Sequence, residues 1–124
     1  MKKLFFIALF SIGLFSMTQA QDLDYYVENQ TSVDWDVTLL DDGPSGAVNL
    51  SLSPGASASG TISDFAFDLE LSADNNAGCA GSNTESGTII GGSIPLLCLR
   101  SFSINYAITG NASTGYNLHL EISN

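Results

Sequence analysis

The sequence predicts an all-β fold, a single antiparallel β-sandwich over residues 21–124, preceded by an N-terminal signal peptide. Apolar and polar residues alternate with period two almost throughout residues 21–124, and clusters of Gly, Pro, Asn and Asp separate the alternating segments. About eight short strands with one apolar face each can bury those faces when two sheets stack, in an immunoglobulin-like or jelly-roll layout. A small β-barrel is the alternative.

The individual strands follow from this alternation in chain order. In the first half of the domain they are predicted at 23–28, 33–39, 48–52 and 56–62, with turns at 41–46 (DDGPSG) and at Pro54-Gly55. In the second half they are predicted at 65–71, 88–90, 96–109 and 116–122. The segment 73–83 (ADNNAGCAGSN) is expected to be a loop because of its Asn, Gly and Ser content.

The long segment 96–109 contains a conflict between register and charge. One of its faces carries Phe102, Ile104, Tyr106 and Ile108. Extending that register backwards points Cys98 inward but also Arg100, and a buried arginine without a partner is very costly. A β-bulge near Arg100 would resolve the conflict and point Leu97 and Leu99 inward, which is the preferred prediction. The alternative is that Arg100 lies near a sheet edge and pairs with an acid.

The first twenty residues have the layout of a secretory signal peptide. Lys2 and Lys3 precede an apolar run at 4–15, and smaller, more polar residues follow up to Ala20, after which we expect cleavage. The apolar run is about a dozen residues, whereas a membrane-spanning helix needs about 18 or more. We therefore expect a secreted domain, at the cell surface, in the medium or in a periplasm, and the Met-Lys-Lys start favours a bacterial source. An uncleaved anchor is the alternative.

Cys79 and Cys98 are the only cysteines in the chain. In an exported domain two cysteines are usually oxidised to a disulfide, and the C-x18-C spacing matches no zinc or redox motif. Such a bridge would close a loop of about 20 residues and contribute roughly 3 kcal/mol. The alternative, a nucleophilic thiol, needs a neighbouring base, and nothing in the sequence places His119 near either cysteine.

The charge of the domain restricts its partners. Beyond residue 20 the chain has one cation, Arg100, against 13 acidic residues, a formal charge of −12. A surface this negative repels nucleic-acid phosphates and anionic lipid headgroups. We therefore expect no nucleic-acid partner and no membrane insertion after the signal peptide is removed. The same surface would attract cations or basic partners.

One group of acids resembles a hard-cation site. Asp34 and Asp36 project from the same strand face about 6–7 Å apart, and Asp41 and Asp42 lie in the following turn. Grouped carboxylate oxygens suit Ca²⁺, although the ligand pattern of an EF-hand loop is missing. The alternative is an ordinary charged outer face that discourages edge-to-edge pairing. No other cofactor is indicated.

The sequence contains no convincing catalytic arrangement. His119 occupies a polar position of a regular strand, and there is no G-x-S-x-G motif. Trp35 falls on an apolar face, so Tyr26 is the best candidate for an exposed aromatic. The leading hypothesis is a non-enzymatic binding or structural module with an unidentified protein or glycan partner, and self-association through strand edges is a variant of it. A calcium-dependent ligand-binding protein is the second hypothesis, and a small hydrolase the third.

Overall fold

The computed structural model describes residues 21–41, 46–65, 68–76, 78–86, 90–98, 101–111 and 113–124. The predicted signal peptide lies outside these ranges, as do Asp42, Leu99 and Arg100. Every regular element within the described ranges is a strand. Accordingly, no helix in this part of the chain has the length and apolar character that a membrane span requires.

The described residues form nine strands in two sheets. In chain order they are β1 (Gln21–Asn29), β2 (Trp35–Asp41), β3 (Ala47–Leu52), β4 (Ser57–Phe65), β5 (Asp68–Asn75), β6 (Ala80–Ser86), β7 (Ile90–Ile94), β8 (Ser103–Asn111) and β9 (Gly115–Ser123). A five-stranded sheet has the order β4-β1-β9-β8-β7, and a four-stranded sheet has the order β3-β2-β5-β6. The two sheets pack against each other, so the predicted β-sandwich is confirmed.

The strand pairing has one feature that the alternation does not reveal. Six of the seven strand pairs are antiparallel, but β1 and β9 run parallel, from Leu23 opposite Tyr116 to Asn29 opposite Ile122. The first and last strands are therefore neighbours inside the five-stranded sheet. Any side chains that they share on its outer face come from opposite ends of the domain sequence.

The core lies between the two sheets and is built by the predicted alternation. Strands β2, β5, β8 and β9 supply the fully buried residues Trp35, Val37, Leu39, Leu69, Leu71, Ile104, Ile108, Leu118, Leu120 and Ile122. Trp35 packs edge-on against Phe102 with ring centroids 5.4 Å apart. Burying each such side chain contributes about 1.5–3 kcal/mol, so this interior is the main source of stability.

A β-bulge changes the register at the end of β4. Ile62 and Phe65 are both buried although they are three residues apart. Residues 63–64 together stand opposite the single residue Asp22, and Asp64 adopts a φ of 53°. Aspartate tolerates this left-handed conformation better than most residues do. The prediction that Phe65 opens the next strand was therefore wrong, because the bulge keeps it in β4.

Two further predictions were wrong. Strand β5 runs to Asn75 and β6 begins at Ala80, so the two ends of the segment predicted as a loop lie in strands, and β6 pairs with β5 from Ala80 to Ser86. Leu97, expected to point inward, is 84% exposed and forms only an isolated bridge with Ala80. Alternate residues point to opposite faces of an extended chain, so Leu97 points outward when Cys98 turns inward towards Cys79.

Candidate functional site

The two cysteines form a structural cross-link. Cys79 and Cys98 are disulfide-bonded with their Cα atoms 4.7 Å apart, so the predicted pair is confirmed. Cys79 is fully buried, and its backbone N–H donates to Oδ1 of Asn75 at 3.0 Å. The bond ties residues 96–98 to the β5–β6 hairpin. With both sulfurs oxidised, neither is available as a nucleophile.

The three predicted calcium residues that the structure describes do not all lie on one face. Asp34 and Asp36 are exposed, and Asp36 accepts a hydrogen bond from the Ser51 hydroxyl at 2.9 Å. Asp41 is 3% exposed and points to the inner face of β2, as Trp35 does, because odd-numbered residues of this strand face the core. Asp42 lies outside the described residues. The structure thus separates Asp41 from the face that carries Asp36.

A shallow groove of about 470 Å³ crosses the outer face of the four-stranded sheet. We call it the acidic groove, and define it by Asp36, Thr38, Ser72, Asp74, Ser82 and Leu97. Asp36 stands directly opposite Asp74 on the neighbouring strand, and Thr38 stands opposite Ser72. The exposed side chain of Leu97 lies at its margin. The groove therefore presents two opposed carboxylates, several hydroxyls and the exposed apolar side chain of Leu97.

The acidic groove has the chemistry to bind a cationic group. Like charges directly opposite each other destabilise an antiparallel pair, and a cationic ligand group between Asp36 and Asp74 would relieve that repulsion. The hydroxyls of Thr38, Ser72 and Ser82 can donate or accept hydrogen bonds. His119 lies on the outer face of the other sheet, so it cannot act as a general base here.

A second polar cluster lies on the outer face of the five-stranded sheet. We call it the His119 cluster, and define it by Glu28, Gln30, His119 and Glu121. Nε2 of His119 lies 3.2 Å from Oε2 of Glu28. The Gln30 amide donates to Oε1 of Glu28 at 3.1 Å and to Oε1 of Glu121 at 2.9 Å. Hydrogen bonds from Gln30, then from His119, hold the pKa of Glu28 below its usual range.

The parallel pairing of β1 with β9 creates this cluster. Glu28 stands opposite Glu121, and Tyr26 stands opposite His119 with ring centroids 5.3 Å apart in an edge-to-face contact. Tyr26 is 41% exposed, as the sequence predicted for the best-exposed aromatic. The cluster is not apparent from the sequence because Glu28 and His119 are 91 residues apart, and neither belongs to a local motif.

A third cluster closes the lateral side of the sandwich between β6 and β7. The Tyr106 hydroxyl donates to Oε1 of Glu85 and accepts a hydrogen bond from Nδ2 of Asn83 at 2.8 Å. Asn83 also donates to the backbone oxygen of Ser93 at 3.1 Å. Burial of Tyr106, reinforced by Glu85, raises the pKa of its phenol far above the ordinary value. The phenol therefore acts as a neutral donor, and the cluster is structural.

No protein-family model, curated protein or solved structure matches the chain. No residue's role is therefore carried over from a relative.

Proposed function

We propose that the chain is an exported, non-enzymatic β-sandwich module that binds a basic protein segment in the acidic groove. The observation that carries the proposal is the direct opposition of Asp36 and Asp74 beside the exposed Leu97. Two carboxylates can pair with lysine or arginine side chains of an extended segment, and the leucine can contact its apolar groups.

Export is supported by two independent features. The N-terminal residues have the charge and hydropathy layout of a signal peptide. The Cys79–Cys98 disulfide is compatible with an oxidising extracellular or periplasmic compartment, where such bonds persist. Outside the cell, a domain with a formal charge of −12 would attract basic partners over distances of about a Debye length, ~8 Å at physiological salt.

The arrangement of the groove favours a basic protein over a glycan. Sugar-binding sites generally present aromatic faces together with hydrogen-bonding groups. The exposed aromatic predicted for that role, Tyr26, lies on the outer face of the other sheet beside His119. The acidic groove offers charge and hydroxyls instead, which suits cationic side chains.

Peptide binding tests the proposal directly. The probe is a fluorescently labelled peptide of alternating lysine and leucine, titrated at low and at physiological salt. We expect the Asp36→Asn/Asp74→Asn variant to bind at least about tenfold more weakly, a loss of about 1.4 kcal/mol. The matched control, Asp24→Asn/Asp64→Asn, removes the same charge from exposed positions of the five-stranded sheet. An equal loss of peptide affinity in both variants would show that binding depends on net charge alone. That result would refute the acidic groove as the binding site.

The second candidate function is calcium-dependent ligand binding. Asp34 and Asp36 line a second hollow of about 300 Å³ together with Ser51, Ser53 and Asn76, all of which carry oxygen atoms that can ligate a cation. This hollow shares Asp36 with the acidic groove. Ca²⁺ prefers such oxygen ligands. Millimolar Ca²⁺ should then raise the melting temperature by mass action, and an unchanged melting temperature would remove this candidate.

A further inference from the structure

The His119 cluster groups three side chains whose donor atoms are typical metal ligands. One ligand atom from each of Glu28, His119 and Glu121 lies within 4.8 Å of the other two. The side chains project from adjacent, hydrogen-bonded strands, so rigid elements fix their relative positions. We infer that these three residues bind a divalent transition ion of the Zn²⁺ type on the outer face of the five-stranded sheet.

The distances fit coordination with little rearrangement. Zn–N and Zn–O bonds of about 2.0–2.2 Å place two ligand atoms of a tetrahedral ion about 3.3–3.6 Å apart. Oε2 of Glu28 and Nε2 of His119 already lie 3.2 Å apart. The ligand atom of Glu121 lies within 4.8 Å of those of Glu28 and His119, so an adjustment of its side chain brings it to coordination distance. Three protein ligands leave the fourth position of the ion open to solvent.

The side-chain amide of Gln30 lies between two carboxylates, at a position that favours a positive charge. Its amide nitrogen lies between Oε1 of Glu28 and Oε1 of Glu121, at 3.1 and 2.9 Å. An N–H group offers only a partial positive charge to two carboxylates that repel each other. A divalent ion compensates both carboxylates more completely, and its binding releases Gln30 to solvent.

The donor set selects the kind of ion. Ca²⁺ and Mg²⁺ take oxygen ligands, whereas an imidazole nitrogen combined with carboxylate oxygens suits Zn²⁺ and its first-row neighbours. The edge-to-face contact with Tyr26 restricts the orientation of the His119 ring. His119 is 56% exposed in its side chain, so an ion can reach the site from solvent without opening the fold.

The ion would join the two ends of the domain. Glu28 lies on β1 and the other two ligands lie on β9, so the site assembles only when these strands pair. An ion that binds the folded chain and not the unfolded chain raises the melting temperature by mass action. The site lies on the opposite sheet from the acidic groove, so the failure of one proposal leaves the other intact.

Isothermal titration calorimetry with ZnCl₂ tests the site on untagged protein in a buffer that does not chelate zinc. We expect one ion per chain and at least about a tenfold loss of affinity in His119→Gln and in Glu121→Gln. The matched control, Glu70→Gln, removes the same charge from an exposed position of the other sheet and should bind as the parent does. Unchanged binding in His119→Gln, or an equal loss in Glu70→Gln, would overturn the assignment.

Two further measurements separate a built site from adsorption to an acidic surface. Gln30→Ala removes a competitor of the ion, so its affinity for Zn²⁺ should equal or exceed that of the parent protein. Millimolar Ca²⁺ should not displace Zn²⁺ in the calorimeter, because calcium disfavours imidazole. Weaker binding in Gln30→Ala, or displacement of zinc by calcium, would contradict the proposed coordination.

Discussion

Replacement of Asn29 by alanine removes a side chain that ties the end of β1 to two other segments. Asn29 is 1% exposed. Its Nδ2 donates to the backbone oxygens of Val33 at 2.8 Å, Leu52 at 3.0 Å and Ser53 at 3.1 Å. Its Oδ1 accepts from the backbone N–H of Thr31 at 3.0 Å and from the Thr31 hydroxyl at 2.7 Å. The side-chain amide of Asn29 thus supplies hydrogen-bond partners to polar groups just before β2 and at the end of β3.

The expected loss of unfolding free energy depends on how many of these hydrogen bonds water can replace. Each hydrogen bond contributes a net value of about 1 kcal/mol, so all five together set an upper value of about 5 kcal/mol. The bonds to Val33 and Ser53 are only partly buried, and water can enter there. The three fully buried bonds alone give about 3 kcal/mol. We therefore expect Asn29→Ala to lose about 3–5 kcal/mol of unfolding free energy.

Urea denaturation followed by the fluorescence of Trp35, the sole tryptophan, measures this loss. Trp35 is 1% exposed and its indole N–H donates to the Thr31 hydroxyl at 3.1 Å, so it reports on the same network. The control is Asn49→Ala, an exposed asparagine that accepts one hydrogen bond from Thr38 and should cost about 0.5 kcal/mol or less. A loss below about 1 kcal/mol for Asn29→Ala, with an unchanged m-value, would refute the reasoning.

Three other changes are expected to alter stability. Replacing Cys79 and Cys98 by alanine should cost about 3 kcal/mol in urea denaturation, because it reopens a loop with a sequence separation of 19. Above pH of about 10 the unfolding free energy should fall, because the folded state holds the pKa of Tyr106 above its unfolded value and keeps its proton. Gly81→Ala should cost about 1–3 kcal/mol, because a Cβ at this position would collide with the backbone oxygen of Pro95.

Each of these predictions has its own control. Dithiothreitol should destabilise the parent protein as much as the cysteine replacements do, and an unchanged urea midpoint would contradict the role of the disulfide. Tyr106→Phe should flatten the alkaline fall in stability, and an identical pH profile in this variant would assign the fall to other groups. Gly91→Ala adds a Cβ with an ordinary 3.7 Å contact, so a cost equal to that of Gly81→Ala would exclude the steric explanation.

Alternation predicts the orientation of side chains better than the number of strands. On β8, Ile104, Tyr106 and Ile108 are buried as predicted, because a strand exposes alternate residues to opposite faces wherever it pairs. Strand β6 (Ala80–Ser86) was missed because its sequence, AGSNTES, has no large apolar residue. It pairs with β5 through backbone hydrogen bonds, which any sequence without proline can form.

The candidate sites were less predictable than the core. Asp34 and Asp36 are exposed as their polar positions implied, yet the carboxylate that faces Asp36 belongs to Asp74, on a strand nearly forty residues further along. Asp41 was grouped with them by proximity in sequence, but the alternation of β2 turns it to the inner face. Spacing along one strand identifies which residues share a face. It does not identify the neighbouring strand that completes a site.

The amino-acid sequence alone determined which face of most strands is buried, that the structure is built of strands, and which two cysteines pair. These properties depend on local alternation, on turn-forming residues and on there being only two thiols. Only the tertiary structure decided that β1 runs parallel to β9, and so brought Glu28, His119 and Glu121 together. The physical reason is that backbone hydrogen bonds are nearly the same for every residue. The choice of partner strand therefore depends on how the two sheets pack as a whole.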